Sequence, residues 1–569
     1  MSLIDSLSTE QKEILNANGK FVLRACPGSG KTFTVTAKLE DLLNNWTSNY
    51  QGIAALSFTN VAWKEISKNL IEHNIDLKYP HFIGTLDSFI NKHIFLPFGH
   101  LIMKCDKRPE LIGEPYGSWS HGTGRGARAY YQYFDIFSYD INGNIIQVSD
   151  PRDCCFGAKW KDTGHETHII NAKKELIKQG YANQSDANFF ALKLLEDYPE
   201  ISRSLVQRFP YFIIDEAQDT TEIQMAIIDK LVEHGLEKIL LVGDPDQSIY
   251  EWNFAKPDLF IQKYEDWDNA ILNKNRRSSQ TICNHTYYLS SLGSCSTSVA
   301  SQSEIKPEII IFNKDTVNDT IDSFIEICKT NGITINEGNV AVIFRSKSFV
   351  DLIKGTSSAG FGVNTNIWAD GDYWTKDIVR GKYLYDNGDY RAGFKSIKHG
   401  LIKFSTKKRS VTKETIESLL ESIDKDLLEF RTEVYQFINS LPNTKNISIK
   451  DFIKAINENN DGINLTLKED SSLSVGELFT DTTMQEHKNC RIGTIHSVKG
   501  ETFEATLLLL NTKVSKNYTT LINEGNYHLV EEMRNVYVAI TRPRKLLMIA
   551  VPNQRNKEAW EEVLKLNGI

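Results

Sequence analysis

The sequence predicts an α/β protein with two parallel-sheet cores and two mostly helical inserted domains. Three observations carry this. Short apolar runs recur, each followed by polar residues and then by a helical pattern, which is the alternating βα habit of a parallel sheet. The runs fall into two sets separated along the chain. The stretches between them differ in character from both.

The first set is "KFVLRA", "GIAALSF", "YFIIDE" ending at Glu216, and "KILLVGD" ending at Asp244. The second is "NVAVIFRS", "FEATLLLL" and "KLLMIAVP". The expected division gives residues 1–95 and 201–270 to a first core and 271–355 with 486–569 to a second. Residues 96–200 form one insertion, opening Gly- and aromatic-rich ("GEPYGSWSHGTGRGARAYYQYF") and ending helical ("ANFFALKLLEDY"). Residues 356–485 form the other, rich in Lys and Glu ("KETIESLLESIDKDLLEFRTEVYQFI"). No internal repeat, low-complexity tract or like-charge tail is evident.

With 569 residues the chain is too long for one core. Hydrophobic residues at 41% and charged residues at 24% are ordinary for a soluble protein. The start, "MSLIDSLSTEQKEIL", lacks a charged-then-apolar leader, and no apolar run would cross a bilayer, so a cytoplasmic location without membrane attachment is expected. The 8 cysteines show no CxxC spacing, and the adjacent Cys154–Cys155 is not a zinc pattern. Buried free thiols are the expectation. A net charge of −8 gives no global pull toward nucleic acid but leaves room for a local basic groove.

The stretch "FVLRACPGSGKTFTV" places Ala25-Cys26-Pro27-Gly28-Ser29-Gly30-Lys31-Thr32 between a strand and a helix. Gly28 and Gly30 let backbone N–H groups turn toward phosphate, Lys31 reaches the β and γ phosphates, and the Thr32 hydroxyl can ligate Mg²⁺. The partner segment is "YFIIDEAQD". An apolar strand delivers Asp215 and Glu216 at its carboxyl end, where α/β sheets place ligands. Asp215 suits Mg²⁺ through Thr32 and water, and Glu216 suits a base that polarises the attacking water. Phosphoryl transfer also needs positive charge at the transition state. Arg277 in "NKNRRSSQT" and Arg542 in "VYVAITRPRKLL" have suitable settings, although spacing alone does not single them out from solvated arginines. A nucleotide kinase would not need two α/β cores, and the Asn-Lys-x-Asp base-reading loop of a GTPase is missing.

Taken in order, these segments resemble the UvrD/Rep-type superfamily 1 DNA helicases. "LSTEQKEIL" is similar to their adenine-reading glutamine motif, with Gln11 in the key place. "LSFTNVAWKEI" and "GTLDSF" resemble the single-strand-binding motifs, "IIDEAQD" the metal and base motif, and "VGDPDQSIYEW" the coupling motif. "NRRSS", "GTIHSVKGETF" and "EEMRNVYVAITRPRKLL" resemble the three motifs of the second core. The resemblance implies two RecA-like cores facing each other across ATP and Mg²⁺, with hydrolysis coupled to single-stranded DNA in the 3′→5′ direction. It implies that Gln247 senses the γ-phosphate and that Arg277 and Arg542 reach across from the second core. It also implies that Tyr250 and Trp252 lie near the bases, while Phe58, Thr59, Thr85, Thr494 and His496 line the strand. Aromatic stacking is a sequence-tolerant grip, worth about 1–3 kcal/mol per base.

Departures from the pattern are informative. The family usually sandwiches adenine between an Arg after the Lys-Thr pair and a Tyr before the Arg of the fourth motif. Here these positions are Phe33 and Arg276, so the expected sandwich has its members exchanged. The Arg after the coupling-motif Trp is Asn253, the His of "GTxHSF" is Asp87, and Thr502 replaces a Glu. These changes are expected to spare ATP hydrolysis and put the grip on DNA in question.

The compact layout is similar to helicases encoded beside OLD-type TOPRIM nucleases, a group including the helicase subunit of the Gabija anti-phage system. That implies a nuclease subunit as partner in a large hetero-oligomer. Three readings remain at this stage: an ATP-dependent translocase or helicase acting with a nuclease, an ATP-gated DNA sensor that unwinds little, and a stand-alone repair helicase.

Overall fold

The computed structural model describes residues 3–566 except 59, 74, 76–77, 113–119, 123–127, 131–136, 149–164, 251–253, 301, 314–316, 346–348, 350–352, 354–366, 370–371, 373, 388–389, 408–410, 412–415, 446, 461, 469–472, 480–489 and 512–516. The first sheet has 6 strands: β1 (Lys20–Ala25), β2 (Ile53–Ser57), β3 (Phe82–Thr85), β4 (Tyr211–Asp215), β5 (Lys238–Gly243) and β6 (Asp268–Leu272). Their spatial order is β6-β1-β5-β4-β2-β3, and every pairing is parallel. Parallel pairing brings all carboxyl ends to one rim, so Cys26, Glu216 and Asp244 emerge together.

The second sheet has 5 strands: β7 (Glu308–Ile311), β8 (Val340–Phe344), β9 (Arg491–Thr494), β10 (Phe503–Leu509) and β11 (Pro543–Val551). The order is β7-β11-β10-β8-β9, again all parallel. The interior strands β2, β4 and β8 are buried at every position, which is why they read as unbroken apolar runs.

Five helices position the sites: α1 (Thr9–Leu15), α2 (Lys31–Asn44), α3 (Leu86–Ile90), α4 (Gln184–Asp197) and α5 (Glu222–Glu233). A sixth, α6 (Glu531–Ile540), runs into the "TRPR" turn. α4 starts at a capping box formed by Asn183 and Asp186. Its Phe190, Leu192 and Leu195 share one hydrophobic core with Leu56, Phe212 and Leu241 of the first sheet. Helix α4, in the stretch expected as the first insertion, is therefore seated on that core. The fully shielded Lys173 ammonium pairs with Asp186 at 2.8 Å and donates to the Phe137 carbonyl at 2.8 Å, which ties the hairpin at 137–147 to α4. By contrast, residues 367–475 build a separate core around Ile378, Ile397, Val434, Phe452 and Ile456.

The two outer strands β3 and β9 end alike. "GTLDS" and "GTIHS" each place Thr (85 or 494) as a helix cap accepting from the N–H of Ser88 or Ser497, at 3.1 and 3.3 Å. Each Ser hydroxyl donates back to the Thr carbonyl, at 2.6 and 2.8 Å. A Cβ on Gly84 or Gly493 would lie 2.7 or 2.5 Å from that hydroxyl. One local device thus terminates both sheets, a short repeat that the sequence reading passed over.

Among the described residues no helix is long and apolar enough to cross a membrane.

Candidate nucleotide cleft

The turn after β1 packs tightly. Gly28 and Gly30 adopt φ of +73° and +84°, which side-chain-bearing residues avoid. A Cβ on Gly28 would sit 2.6 Å from Arg277 Cβ and 2.7 Å from Asn275 Oδ1, so this glycine also admits the segment that follows β6. The Arg276 N–H donates to the Gly28 carbonyl at 2.8 Å. Asn275 Oδ1 accepts from the backbone N–H of Arg277 and Ser278 at 2.8 and 2.9 Å, which fixes the arginine.

A cleft of about 460 Å³ opens between the sheets. Cys26, Gly28, Ser29, Gly30, Lys31, Thr32 and Phe33 line one wall, with Glu216, Gln247 and Tyr250 beside them. Arg277, His496, Ser497, Lys499, Gly500 and Arg542 line the other. All six residues expected to carry the chemistry flank it: Lys31, Glu216, Gln247, Arg277 and Arg542 as lining, and Asp215 through Thr32.

Lys31 Nζ lies 3.5 Å from Glu216 Oε1. Burial alone would lower the lysine's pKa, but the carboxylates of Glu216, Asp244, Asp215 and Asp219 outweigh it and raise it. Burial pushes Glu216 the other way, yet the ammonium groups of Lys31 and Lys499 bring it down to about 2, so it is ionised at neutral pH. Glu216 has a left-handed backbone at φ +53°, a strained conformation for a residue with a side chain. Its N–H donates to Asp215 Oδ1 at 2.9 Å, and its Oε2 accepts from Gln218 at 2.5 Å.

The Thr32 hydroxyl lies 3.4 Å from the other Asp215 oxygen. Lys31 Nζ and Ser29 Oγ are shielded and make no hydrogen bond among the described residues. Donors left open at a glycine turn fit a polyphosphate. No group of three or more metal-ligating side chains exists among the described residues. Mg²⁺ in such sites is held by one or two protein oxygens plus phosphates and water, which Thr32 and Asp215 suit.

The opposite wall is wired to the first. Arg542 is buried, donates to the Gln247 amide oxygen at 2.9 Å and to the Val538 carbonyl at 2.8 Å, and is lowered by burial to about 10. The Gln247 amide in turn donates to Asp244, whose carboxyl is raised to about 6 by burial and by the neighbouring Asp246 charge. Arg277 donates to the Thr541 carbonyl at 3.1 Å. Asp246 receives Ser290 Oγ at 2.6 Å and the Ser291 N–H at 2.9 Å from beyond β6.

Lys499 escaped the sequence reading. It pairs with the fully buried Asp219 at 2.5 Å and lies 4.6 Å from the Tyr250 ring centre. The signal available was the Lys-Gly directly after the second Thr-capped strand.

The remaining expected residues are placed as follows. Gln11 is buried beneath the loop, not on the cleft wall. Its amide donates to Thr34 at 3.0 Å and accepts from the Ser8 N–H at 3.1 Å. Ala25 and Pro27 are buried behind the loop, and the Cys26 thiol is pushed by burial up to about 12. Phe33 packs partly against Leu3, Leu7 and Ala37 while keeping a face on the cleft. Arg276 is exposed, its stem passing over Gly30.

Tyr250 bridges Phe58 and His496, with ring centres 5.6 and 5.9 Å away. His496 bonds to the Ile249 carbonyl at 3.1 Å and is lowered chiefly by burial. Thr85 and Thr494 spend their hydroxyls as caps. Thr59, Trp252 and Asn253 lie outside the described residues. Asp87 is held by amides: its Oδ1 accepts from Asn188 at 3.0 Å and Gln224 at 2.8 Å, and burial raises its pKa against those two bonds. The Asp87 side chain is thus held by the protein's own amides.

The model for the UvrD/REP helicase N-terminal domain matches residues 7–102 and 159–268, and that for the UvrD-like helicase C-terminal domain matches 381–554. A probable DNA helicase II homolog of Mycoplasma capricolum is 28% identical over 294 residues, covering 49% of this chain and 40% of that protein. The ATP-dependent DNA helicase PcrA of Staphylococcus epidermidis is 25% identical over 301 residues, covering 50% of this chain and 40% of PcrA. The Gabija protein GajB of Bacillus cereus is 22% identical over 574 residues, covering 98% of this chain and 97% of GajB. The aligned region thus spans less than half the length of the first two relatives and nearly all of the third. Two all-parallel sheets facing one phosphate-fitting cleft agree with these matches, and the chain belongs to the UvrD/REP helicase family.

Proposed function

We propose that this chain is an ATP-driven 3′→5′ translocase on single-stranded DNA that separates duplex ahead of it and serves a nuclease partner in defence against phage DNA. The observation that carries the motor reading is the cleft wired across both sheets, with Lys31 and Glu216 facing Arg277 and Arg542. Bound ATP with Mg²⁺ supplies the phosphoanhydride and its charge neutralisation. Lys31 holds the phosphates, and Thr32 with Asp215 holds the metal. Glu216 takes the proton of the attacking water at Oε1. Arg277 and Arg542 stabilise the negative charge that develops, and Gln247 links Arg542 to the loop that leads to Tyr250.

Phe58, Tyr250, Thr85, Thr494 and His496 line the proposed strand path along the carboxyl rims. The nuclease partnership, with an OLD-type TOPRIM enzyme, is supported by the near full-length likeness to GajB. The test is a strand-separation assay with 3′- and 5′-tailed duplexes, run beside ATPase with and without single-stranded DNA. Unwinding of the 3′-tailed substrate alone, with stimulated ATPase, is the expected result. Stimulated ATPase with both duplexes intact would replace the motor by an ATP-gated sensor.

Phe33 and Arg276 are proposed to clamp adenine, since Phe33 lines the cleft and the Arg276 stem passes over Gly30 beside it. Phe33→Ala should weaken ATP binding about tenfold, within the ~1–3 kcal/mol that base stacking contributes. Competition against a fluorescent ATP analogue reads this out. Ile456→Ala, in the separate core of the second insertion, serves as control. Equal weakening by the two substitutions would remove Phe33 from the site.

A further inference from the structure

A second cavity, of about 300 Å³, lies between the first sheet and the hairpin of the first insertion, and the nucleotide cleft makes no use of it. Its polar floor is Asp87. Both amides that hold this side chain donate to Oδ1. Its Oδ2 makes no hydrogen bond among the described residues, which leaves one carboxylate oxygen to accept from whatever enters.

The walls are aromatic. Tyr139 is held flat by stacking on Phe189, with ring centres 4.5 Å apart and planes 9° apart. Phe254 is 40% exposed on a left-handed backbone of φ +66°, a strained conformation for an aromatic residue that holds the ring at the cavity. Phe58 lines the cavity as well and touches Tyr250 of the nucleotide cleft, so the two spaces are one aromatic contact apart.

Charge narrows the occupant. Among the described residues, Asp87, Asp140 and Glu222 border the cavity against one cation, Lys256, which disfavours a phosphate inside it. Asp140 is already bonded to the Asn142 and Asn144 amides of its own turn. An aromatic slot with an open acceptor at its floor fits a flat, uncharged ring that bears an N–H₂ group.

We propose that this cavity takes one unstacked nucleobase of the bound strand, and that Asp87 Oδ2 selects bases with an exocyclic amine. The inference rests on the single-stranded-DNA reading above and adds to it a base preference. Carboxylates accept from the cytosine N4 amine, whereas uracil offers a carbonyl oxygen at that position.

The test measures equilibrium binding of labelled dC20 and dU20 by fluorescence anisotropy, for the wild-type chain and for Asp87→Asn. An asparagine keeps an oxygen for Asn188 and Gln224 and turns an N–H₂ toward the cavity, so the floor changes from acceptor to donor with little loss of packing. The wild type should bind dC20 about tenfold more tightly than dU20, and D87N should abolish or invert the preference while leaving dU20 binding no weaker. Equal affinity of the wild type for the two strands would overturn the proposal and leave the DNA motor standing. Weakening of both strands alike by D87N would overturn it too, by assigning Asp87 to the seating of α4. Failure of both strands to bind the wild-type chain would sink the DNA reading together with it.

Discussion

Glu216→Gln should lower ATP turnover by about 10²–10⁴-fold, the range set by loss of a positioned general base. The substitution is nearly isosteric, so the Gln218 contact and the left-handed backbone at this position survive. What disappears is the carboxylate that Lys31 and Lys499 hold ionised. Lys31 then loses its partner at 3.5 Å and is freed for the phosphates, so ATP affinity should hold or rise while turnover collapses. Single-turnover hydrolysis beside an ATP-binding titration separates the two effects. Turnover within a few-fold of the wild type would show that another group takes the proton.

The second large effect is expected at Arg542. Its buried guanidinium spans Gln247 and Val538, and Lys carries charge without the fork. Arg542→Lys should reduce kcat about 10³-fold with little change in KM, because a charge stabilising only the transition state is lost from kcat. Leaving the buried Gln247 oxygen unpaired costs about 1–3 kcal/mol of stability as well, so Tm should fall. A lower Tm with kcat preserved would make Arg542 a structural tie between the sheets and would pass the catalytic charge to Arg277.

Legibility in the sequence followed burial. The seven strands read from apolar runs are the interior strands of the two sheets, and the four not read are β3, β6, β7 and β9, the outer strand on each side of each sheet. An interior strand is covered on both faces and hydrogen-bonded on both edges, so its residues are predominantly apolar. An outer strand is half exposed, as Asp268–Leu272 and Glu308–Ile311 are, and it carries the mixed composition of a loop. The proposed catalytic set was legible because the chemistry of phosphate demands residues such as Lys31, Thr32, Asp215 and Glu216 at the ends of interior strands. Lys499 was not, since a lone lysine after a turn has no pattern until Asp219 and Tyr250 surround it.

The sequence by itself determined the α/β class, the two sets of interior strands, the phosphate turn and its acidic partner, because each is fixed by local composition and short spacing. Only the tertiary structure decided which distant groups meet. Gly28 is small because Arg277 passes over it, Gln11 is buried with its amide already engaged, and Asp87 faces a cavity with one oxygen open. Each of these contacts joins residues far apart in the chain, across a cleft or between a core and an insertion. Their energies come from burial and partner geometry, which no local pattern encodes.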